Sequence, residues 1–198
     1  LSAMVNEEDH LRIQGMRPGL DLPRLWAEVD RLDSEIEEKL DYAFSAKLGY
    51  LTACPTNVGT GLRASVMLHL PGLVLMNEIN PLMKGLGKIG LAVRGLMGEG
   101  TEASGNMFQV SNQMTLGESE TQIIHTIEQI VQELLEHEQN ARVRLMERRE
   151  SMVRDHAGRA YGILSHAHLL SSKEALDLLS GLRLGVDVDV TNIDDDPR

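Results

Sequence analysis

Three short stretches carry side chains that could act on a phosphorylated molecule. The first is Thr52 to Pro71, TACPTNVGTGLRASVMLHLP, which holds the chain's one cysteine, Cys54, directly before Pro55. Gly59-Thr60-Gly61 and Arg63 follow. A tight glycine loop with free backbone N–H groups beside an arginine suits a phosphate anion, and an ordinary hairpin is the plainer alternative. The second stretch is Asn6 to Arg12, NEEDHLR, in which three acids, a His and an Arg fall within six positions. A solvated charged turn is its plainer alternative. The third, Leu91 to Thr101, sets Arg94 and Glu99 among Gly95, Gly98 and Gly100. So many glycines suit a segment that moves or one that a ligand approaches closely. If Arg12, Arg63 and Arg94 converge, they can clamp a triphosphate. They would also spread the charge that develops on a transferring phosphoryl group, chemistry that needs chiefly positioning and electrostatic help.

Strands and helices must hold these residues. Val66, Leu68 and Leu70 alternate as in a half-buried strand. If Leu1 to Val5 ends a strand, Glu8 and Arg12 lie just beyond it. After the breaker Arg17-Pro18-Gly19, Asp21 is placed to cap a helix with Pro23 in its first turn. Leu22, Leu25, Trp26, Val29, Leu32, Ile36, Leu40 and Ala43 or Phe44 then recur at helical spacing. Leu73 to Met83 reads as helical or irregular. Gly85, Gly87 and Gly90 form a G-x-G-x-x-G, but a dinucleotide site needs a strand before it and a helix after it. A helix precedes here and Leu91-Ala92-Val93 is strand-like, so the glycines read as a turn. Phe108 to Gln113 reads as the return strand of a hairpin. Ser119 to Glu136 reads as a strong helix with Ser119 and Gln122 as a capping box. Its stripe is Ile123, Ile124, Ile127, Ile130, Val131, Leu134 and Leu135. From Gln139 onward Arg142, Arg144, Arg148, Arg149, Arg154 and Arg159 interleave with Glu, as on an ion-paired helix face. Further helices are expected over Ala157 to Leu170 and Ser171 to Leu182, with Ser171 or Ser172 capping the latter.

Composition narrows the class. The 198 residues carry 19 basic and 30 acidic side chains, a formal charge of −11. That balance argues against a nucleic-acid partner and suits a basic one. Aromatics make up 3% of the chain, so Leu, Ile, Val and ten Met must fill its core. One cysteine makes no internal disulfide, which fits a reducing cytosol. No apolar run approaches the ~18 residues of a membrane span, and no signal-peptide pattern is present. His166-x-His168 does not share a helix face, and no other spacing suggests a metal site. The chain starts at Leu1 and stops at Arg198 without an obvious final element, and is expected to be a fragment of a longer protein.

All three stretches, in order, resemble the motifs of the ATP:guanidino phosphotransferases, the family of the arginine and creatine kinases and the bacterial protein-arginine kinases. The matching residues are N-E-E-D-H from Asn6, C-P-T-N from Cys54, R-A-S-V-M from Arg63 and R-G-L-M-G-E from Arg94, and SGNMFQVSNQ fits the strand that follows. The resemblance runs over about residues 1–190. It implies that Glu8 and Glu99 hold the substrate guanidinium beside Cys54, and that Arg12, Arg63 and Arg94 bind the ATP phosphates. Arg63, Ala64, Ser65, Val66 and Met67 would line the nucleotide, as would Arg94, Gly95, Leu96, Met97, Gly98 and Glu99. Mg²⁺ would be held through the phosphates, with no protein metal site. The chemistry suits these residue types. A guanidinium with a pKa of about 12.5 or above is no nucleophile at neutral pH. Paired glutamates can align it, and one can take its proton. A thiolate beside it tunes orientation and basicity without a covalent intermediate.

Within the family the chain is most similar to the protein-arginine kinase branch. Met67 stands where phosphagen kinases usually carry His, and Met97 where they carry a second Arg. LDYAF and LGYLTACPTNVGTG also match that branch, as does the helical unit after residue 141. Two family features are missing: an early Ser-Ser-x-x-Arg strand and an R-D-x-x-R-A phosphoarginine motif. Arg154-Asp155-His156-Ala157-Gly158-Arg159-Ala160 has one residue too many for the latter. The implied fold is α+β, a mostly antiparallel sheet flanked by helices (glutamine synthetase/guanidino kinase-like) and followed by an all-helical C-terminal region. The implied domains are 1–141, catalytic and incomplete, and 142–198, helical. The implied activity is phosphorylation of arginine on proteins, marking them for quality-control proteolysis in the cytoplasm. Arginine-bearing substrate proteins, an activator protein, a protease chaperone and a second copy in a homodimer are the implied partners, with neither nucleic acid nor membrane among them. A phosphagen kinase acting on a small free guanidine and a non-catalytic phosphoarginine or partner-binding module are the alternatives.

Overall fold

A computed structural model describes residues 1–96 and 103–190. The fold is α+β. Strands β1 (Ser2–Val5) and β2 (Leu11–Gln14) form an antiparallel hairpin, and β3 (Phe44–Ser45) pairs antiparallel with β4 (Gly49–Tyr50). Strands β5 (Ser65–His69), β6 (Leu91–Gly95) and β7 (Met107–Asn112) form a third sheet in the order β5-β7-β6. The helices are α1 (Leu22–Glu37), α2 (Pro71–Leu75), α3 (Ile79–Lys88), α4 (Glu120–His166) and α5 (Ser172–Asp187). The chain divides into two compact units: Leu1–Val66 with Ser111–Ile130, and Met67–Val110 with the chain from Val131 on.

In the first unit α1 presents a half-buried face of Leu22, Leu25, Trp26, Val29, Leu32 and Ile36, and buries no residue fully. It is shorter than its apolar spacing predicts. It stops at Glu37, Leu40 is exposed, and Phe44 pairs in β3 with its ring edge-on to Tyr50 at 5.3 Å. Asp21 makes no capping hydrogen bond, because its carboxylate lies 3.6 Å from Arg17 instead. Ser119 does cap α4: its N–H donates to Gln122 Oε1 at 2.9 Å and its hydroxyl accepts the Gln122 N–H at 3.4 Å. Arg12 falls inside β2, opposite Met4, rather than beyond the strands.

In the second unit Gly85 and Gly87 lie within α3, and only Gly90 (φ +81) sits in the turn before β6. The helix-then-strand order leaves no dinucleotide motif. One helix, α4, replaces the two expected before His166, interrupted at Arg149 where φ is −144°. Val131, Leu134, Ala141 and Leu145 form its buried stripe, and beyond the interruption Val153, Ala157 and Ala160 continue it. Leu145, Val153 and Leu184 close a core against Leu75, Met76 and Met146. Ser171 caps α5 through the Glu174 N–H at 3.1 Å. The arginine-rich face is ion-paired: Arg144 forks onto Glu78 at 2.8 and 2.6 Å, and Arg154 and Arg159 reach back to Glu150 and Asp155.

Glu138 occupies a position in the buried stripe of α4 and is only 3% exposed. Its carboxylate accepts the N–H groups of Gly72 (2.8 Å) and Leu73 (2.9 Å) at the start of α2, and Arg142 Nε at 2.6 Å. Arg142 continues to Asp187 of α5 at 2.9 Å. Removing the carboxylate leaves two helix N–H groups and the Arg142 Nε–H without their acceptor. Glu138→Ala should lower stability by about 2–4 kcal/mol in denaturant unfolding, with Glu138→Gln recovering part of it. A loss within the ~0.5 kcal/mol expected of a surface site would show that water replaces the carboxylate.

Candidate functional site

The cysteine loop is built by polar side chains from distant parts of the first unit. Cys54 precedes a single 3-10 turn, Pro55–Asn57. The Asp9 carboxylate accepts the Cys54 N–H at 3.0 Å on one oxygen and Asn57 Nδ2 at 2.7 Å on the other. The Thr52 hydroxyl donates to the Cys54 carbonyl at 2.6 Å, and the Cys54 thiol lies 3.0 Å from the Thr56 hydroxyl. Thr115 supports the turn from beneath, its hydroxyl shared between the carbonyls of Thr56 (3.0 Å) and Val58 (2.8 Å). Gly59 has φ +115, and a Cβ there would collide with the Thr115 carbonyl, so the loop needs glycine at this position.

Most of the loop amides are taken within the protein. Those of Asn57, Val58, Gly59 and Thr60 donate to the carbonyls of Cys54, Pro55, Tyr50 and Thr115. The Leu62 N–H donates to Thr60 Oγ1, and the Ala64 N–H to Asn112 Oδ1 at 2.8 Å. The Gly-Thr-Gly stretch is therefore bridged to β4 and to Thr115 through its first two amides. Asn112 completes the support, its Nδ2 donating to the carbonyls of Leu62 and Met114 at 2.9 Å each.

Glu8 is exposed in the turn between β1 and β2, next to Asp9, so the turn that carries Glu8 is tied directly to the Cys54 loop. Arg12 is exposed on β2 with a 3.3 Å ion pair to Glu7. Arg63 is exposed at the entrance of β5, where Ala64 is buried, Ser65 and Val66 are half-buried and Met67 is exposed. In the second unit Arg94 is exposed on β6, with Gly95 and Leu96 after it. Among the described residues neither Arg63 nor Arg94 is ion-paired, which leaves both guanidinium forks for an oxyanion. Met97, Gly98 and Glu99 lie outside the described residues. Asp9, Asn112 and Thr115 escape sequence reasoning. Asp9 had a signal, being the fourth residue of NEEDH, whereas Asn112 and Thr115 look like any polar residues at the end of a strand.

The Cys54 N–H, and after it Asn57, hold the Asp9 carboxyl below its ordinary value of 3.8. A carboxyl depressed by folding stabilises in full above its unfolded value, and the contribution is lost as pH falls through the folded one. The Cys54 amide NMR signal should therefore titrate at a midpoint below 3.8. Asp9→Asn should abolish that titration. A Cys54 signal that titrates identically in both proteins would break the link.

Residues 1–141 match the family model described as ATP:guanido phosphotransferase, C-terminal catalytic domain. Residues 150–196 match that of the protein-arginine kinase McsB C-terminal domain. The chain is 52% identical to a protein-arginine kinase of Halothermothrix orenii over 98% of its own length and 56% of the relative's. It is 54% identical to that of Pelotomaculum thermopropionicum over 96% of this chain and 53% of the relative. It thus spans little more than half the length of these relatives. Among solved structures, the duplicated taurocyamine kinase from Schistosoma mansoni with bound transition state analog components superposes with a TM-score of 0.61 at 34% identity, covering 70% of this chain and 19% of that one. A lombricine kinase gives 0.61 at 32% identity, covering 69% of this chain and 38% of that one. On sequence and fold together, the chain belongs to the ATP:guanido phosphotransferase family.

Proposed function

We propose that the protein of which this chain is part is a protein-arginine kinase that moves the γ-phosphoryl group of Mg-ATP onto arginine side chains of other proteins. The observation that carries this reading is the Asp9 bridge, which ties the Glu8 turn to the Cys54 loop and so holds a carboxylate and a thiol on one rigid base. In the reaction a guanidinium nitrogen forms a bond to the γ-phosphorus while the bond from that phosphorus to the bridging oxygen breaks, and ADP leaves. The guanidinium proton passes to a glutamate. Glu8 and Glu99 hold the planar group and one takes its proton, with the Cys54 side chain beside it. Arg12, Arg63 and Arg94 bind the phosphates bidentately. Residues Ala64, Ser65, Val66 and Met67, with Gly95, Leu96, Met97 and Gly98, line the nucleotide. Mg²⁺ is held through the phosphates and supplies charge neutralisation there.

Residues 1–141 serve as the kinase part and 142–198 as the helical part of the longer enzyme. Its partners are arginine-bearing protein substrates, an activator protein, a protease chaperone and a second copy of itself, and its product marks proteins for degradation in the cytoplasm. No described helix is long and apolar enough to cross a membrane.

The test is mass spectrometry for acid-labile phosphoarginine on an unstructured, arginine-rich protein incubated with Mg-ATP and the chain, alone and with its upstream region restored. Glu8→Gln and Glu99→Ala should each lose roughly 10²-fold or more of the rate without unfolding. Cys54→Ser should keep measurable turnover, since no covalent intermediate forms. Turnover of free arginine in place of protein would mark a phosphagen kinase. Binding of phosphoarginine without turnover in either form would mark a binding module.

A further inference from the structure

The chain that carries Arg94 is fixed from behind by the C-terminal helix. Leu96 follows β6, two residues after Arg94, and is held on both sides by the returning chain. Its N–H donates to the Met107 carbonyl and its carbonyl accepts the Ser104 N–H, each at 2.9 Å. The returning chain, Ser104–Asn106, is a single 3-10 turn with Gly105 at φ +64 and Asn106 at φ +53. Ser104 and Gly105 are buried but offer no large apolar side chain to lock the turn. Two side chains of α5 do this instead. Asp177 accepts the Gly105 N–H at 2.7 Å. Ser180, 4% exposed, accepts from Asn106 Nδ2 at 2.7 Å and lies 2.7 Å from His69 Nε2 at the end of β5. The Asn106 carbonyl in turn accepts the Leu70 N–H at 3.0 Å. A Cβ on Gly105 would stand 3.0 Å from the Leu176 carbonyl oxygen, so α5 lies directly on the turn.

We propose that α5 pins the Arg94 strand, and that Asp177 and Ser180 are positioning residues for the Arg94 guanidinium, acting through Gly105, Asn106 and Leu96. The inference rests on the phosphate role proposed for Arg94. Bidentate grip on a phosphate is sensitive to shifts of about 1 Å, and Arg94 sits two residues from the pinned contact. Helix α5 lies in the segment that matches the C-terminal domain model, outside the kinase-domain match. The pin therefore makes phosphoryl transfer depend on the helical region without that region touching substrate.

The experiment compares wild type, Asp177→Ala, Asp177→Asn and Ser180→Ala in the protein with its upstream region restored. Asp177→Ala and Ser180→Ala should each lower kcat about tenfold while KM for the arginine substrate stays unchanged. Affinity for a non-hydrolysable ATP analogue should fall, and that for AMP, which lacks the γ-phosphate, should hold. Asp177→Asn keeps an acceptor oxygen for the Gly105 N–H and should restore most of the rate. A lower unfolding midpoint with kcat unchanged per folded molecule would overturn the proposal and leave the pin purely structural. Hydrogen exchange provides a readout independent of activity. The Gly105 and Leu96 amides should exchange faster in Asp177→Ala, and unchanged exchange would overturn the pin even if the wild type phosphorylates nothing. Faster exchange in Asp177→Ala, found where the wild type shows no turnover, would instead fault the function reading and spare the pin.

Discussion

A backbone N–H that leaves water must find an acceptor, and this protein meets that requirement at its loops with side chains sent from far along the sequence. Glu138 takes two N–H groups of α2, Asp9 takes the Cys54 N–H and the Asn57 side chain, Asn112 takes the Ala64 N–H, and Asp177 takes the Gly105 N–H. At the Cys54 and Gly105 turns apolar packing does little of this work, because they are made largely of Gly, Thr, Asn, Ser and Pro with little surface to bury. Each carboxylate or amide therefore serves as a long-range strut. The charge-assisted contacts among them are the stronger kind, and the neighbouring structure keeps them in place.

The struts explain how the residues proposed for the site can be exposed while their backbone is held. Glu8, Arg63 and Arg94 reach solvent, while the residue beside each or close to it is anchored: Asp9 beside Glu8, Ala64 beside Arg63, Leu96 two places after Arg94. Anchoring a neighbour fixes the backbone and leaves the functional side chain free of competing partners. That is the division expected of a site that works by positioning and electrostatics. Arg12 is the exception, with Glu7 at 3.3 Å, but both partners are about half exposed and such a pair is weak and readily exchanged.

Much of the architecture was legible in the chain order. Ser119 with Gln122, the isoleucine stripe from Ile123, the Ser171 cap and the alternating run into Leu68 and Leu70 all act over a few residues, and local signals of that kind survive folding. The errors share one cause, which is competition from other residues, some close by in the chain and some distant. Asp21 was free to cap until Arg17 took its carboxylate, and α1 was free to continue past Glu37 until Phe44 entered β3. The Gly59 and Thr60 amides of the bend looked available until Tyr50 and Thr115 supplied carbonyls. Glu138 shows the converse, since it stands on an apolar stripe where its spacing already places it inside, though nothing local names its partners.

By itself the sequence determined the family, because the residue types and order of NEEDH, CPTN and RGLMGE carry its signature, and it determined the helices whose apolar period repeats over several turns. The tertiary structure alone decided which polar residues hold those motifs still. Asp9 reaches Cys54 across 45 positions, Asn112 reaches Ala64 across 48 and Asp177 reaches Gly105 across 72. No period or spacing encodes contacts of that span. They exist because the fold brings a buried donor within reach of an acceptor, and leaving that donor without a partner would cost more than ordering the side chain that satisfies it.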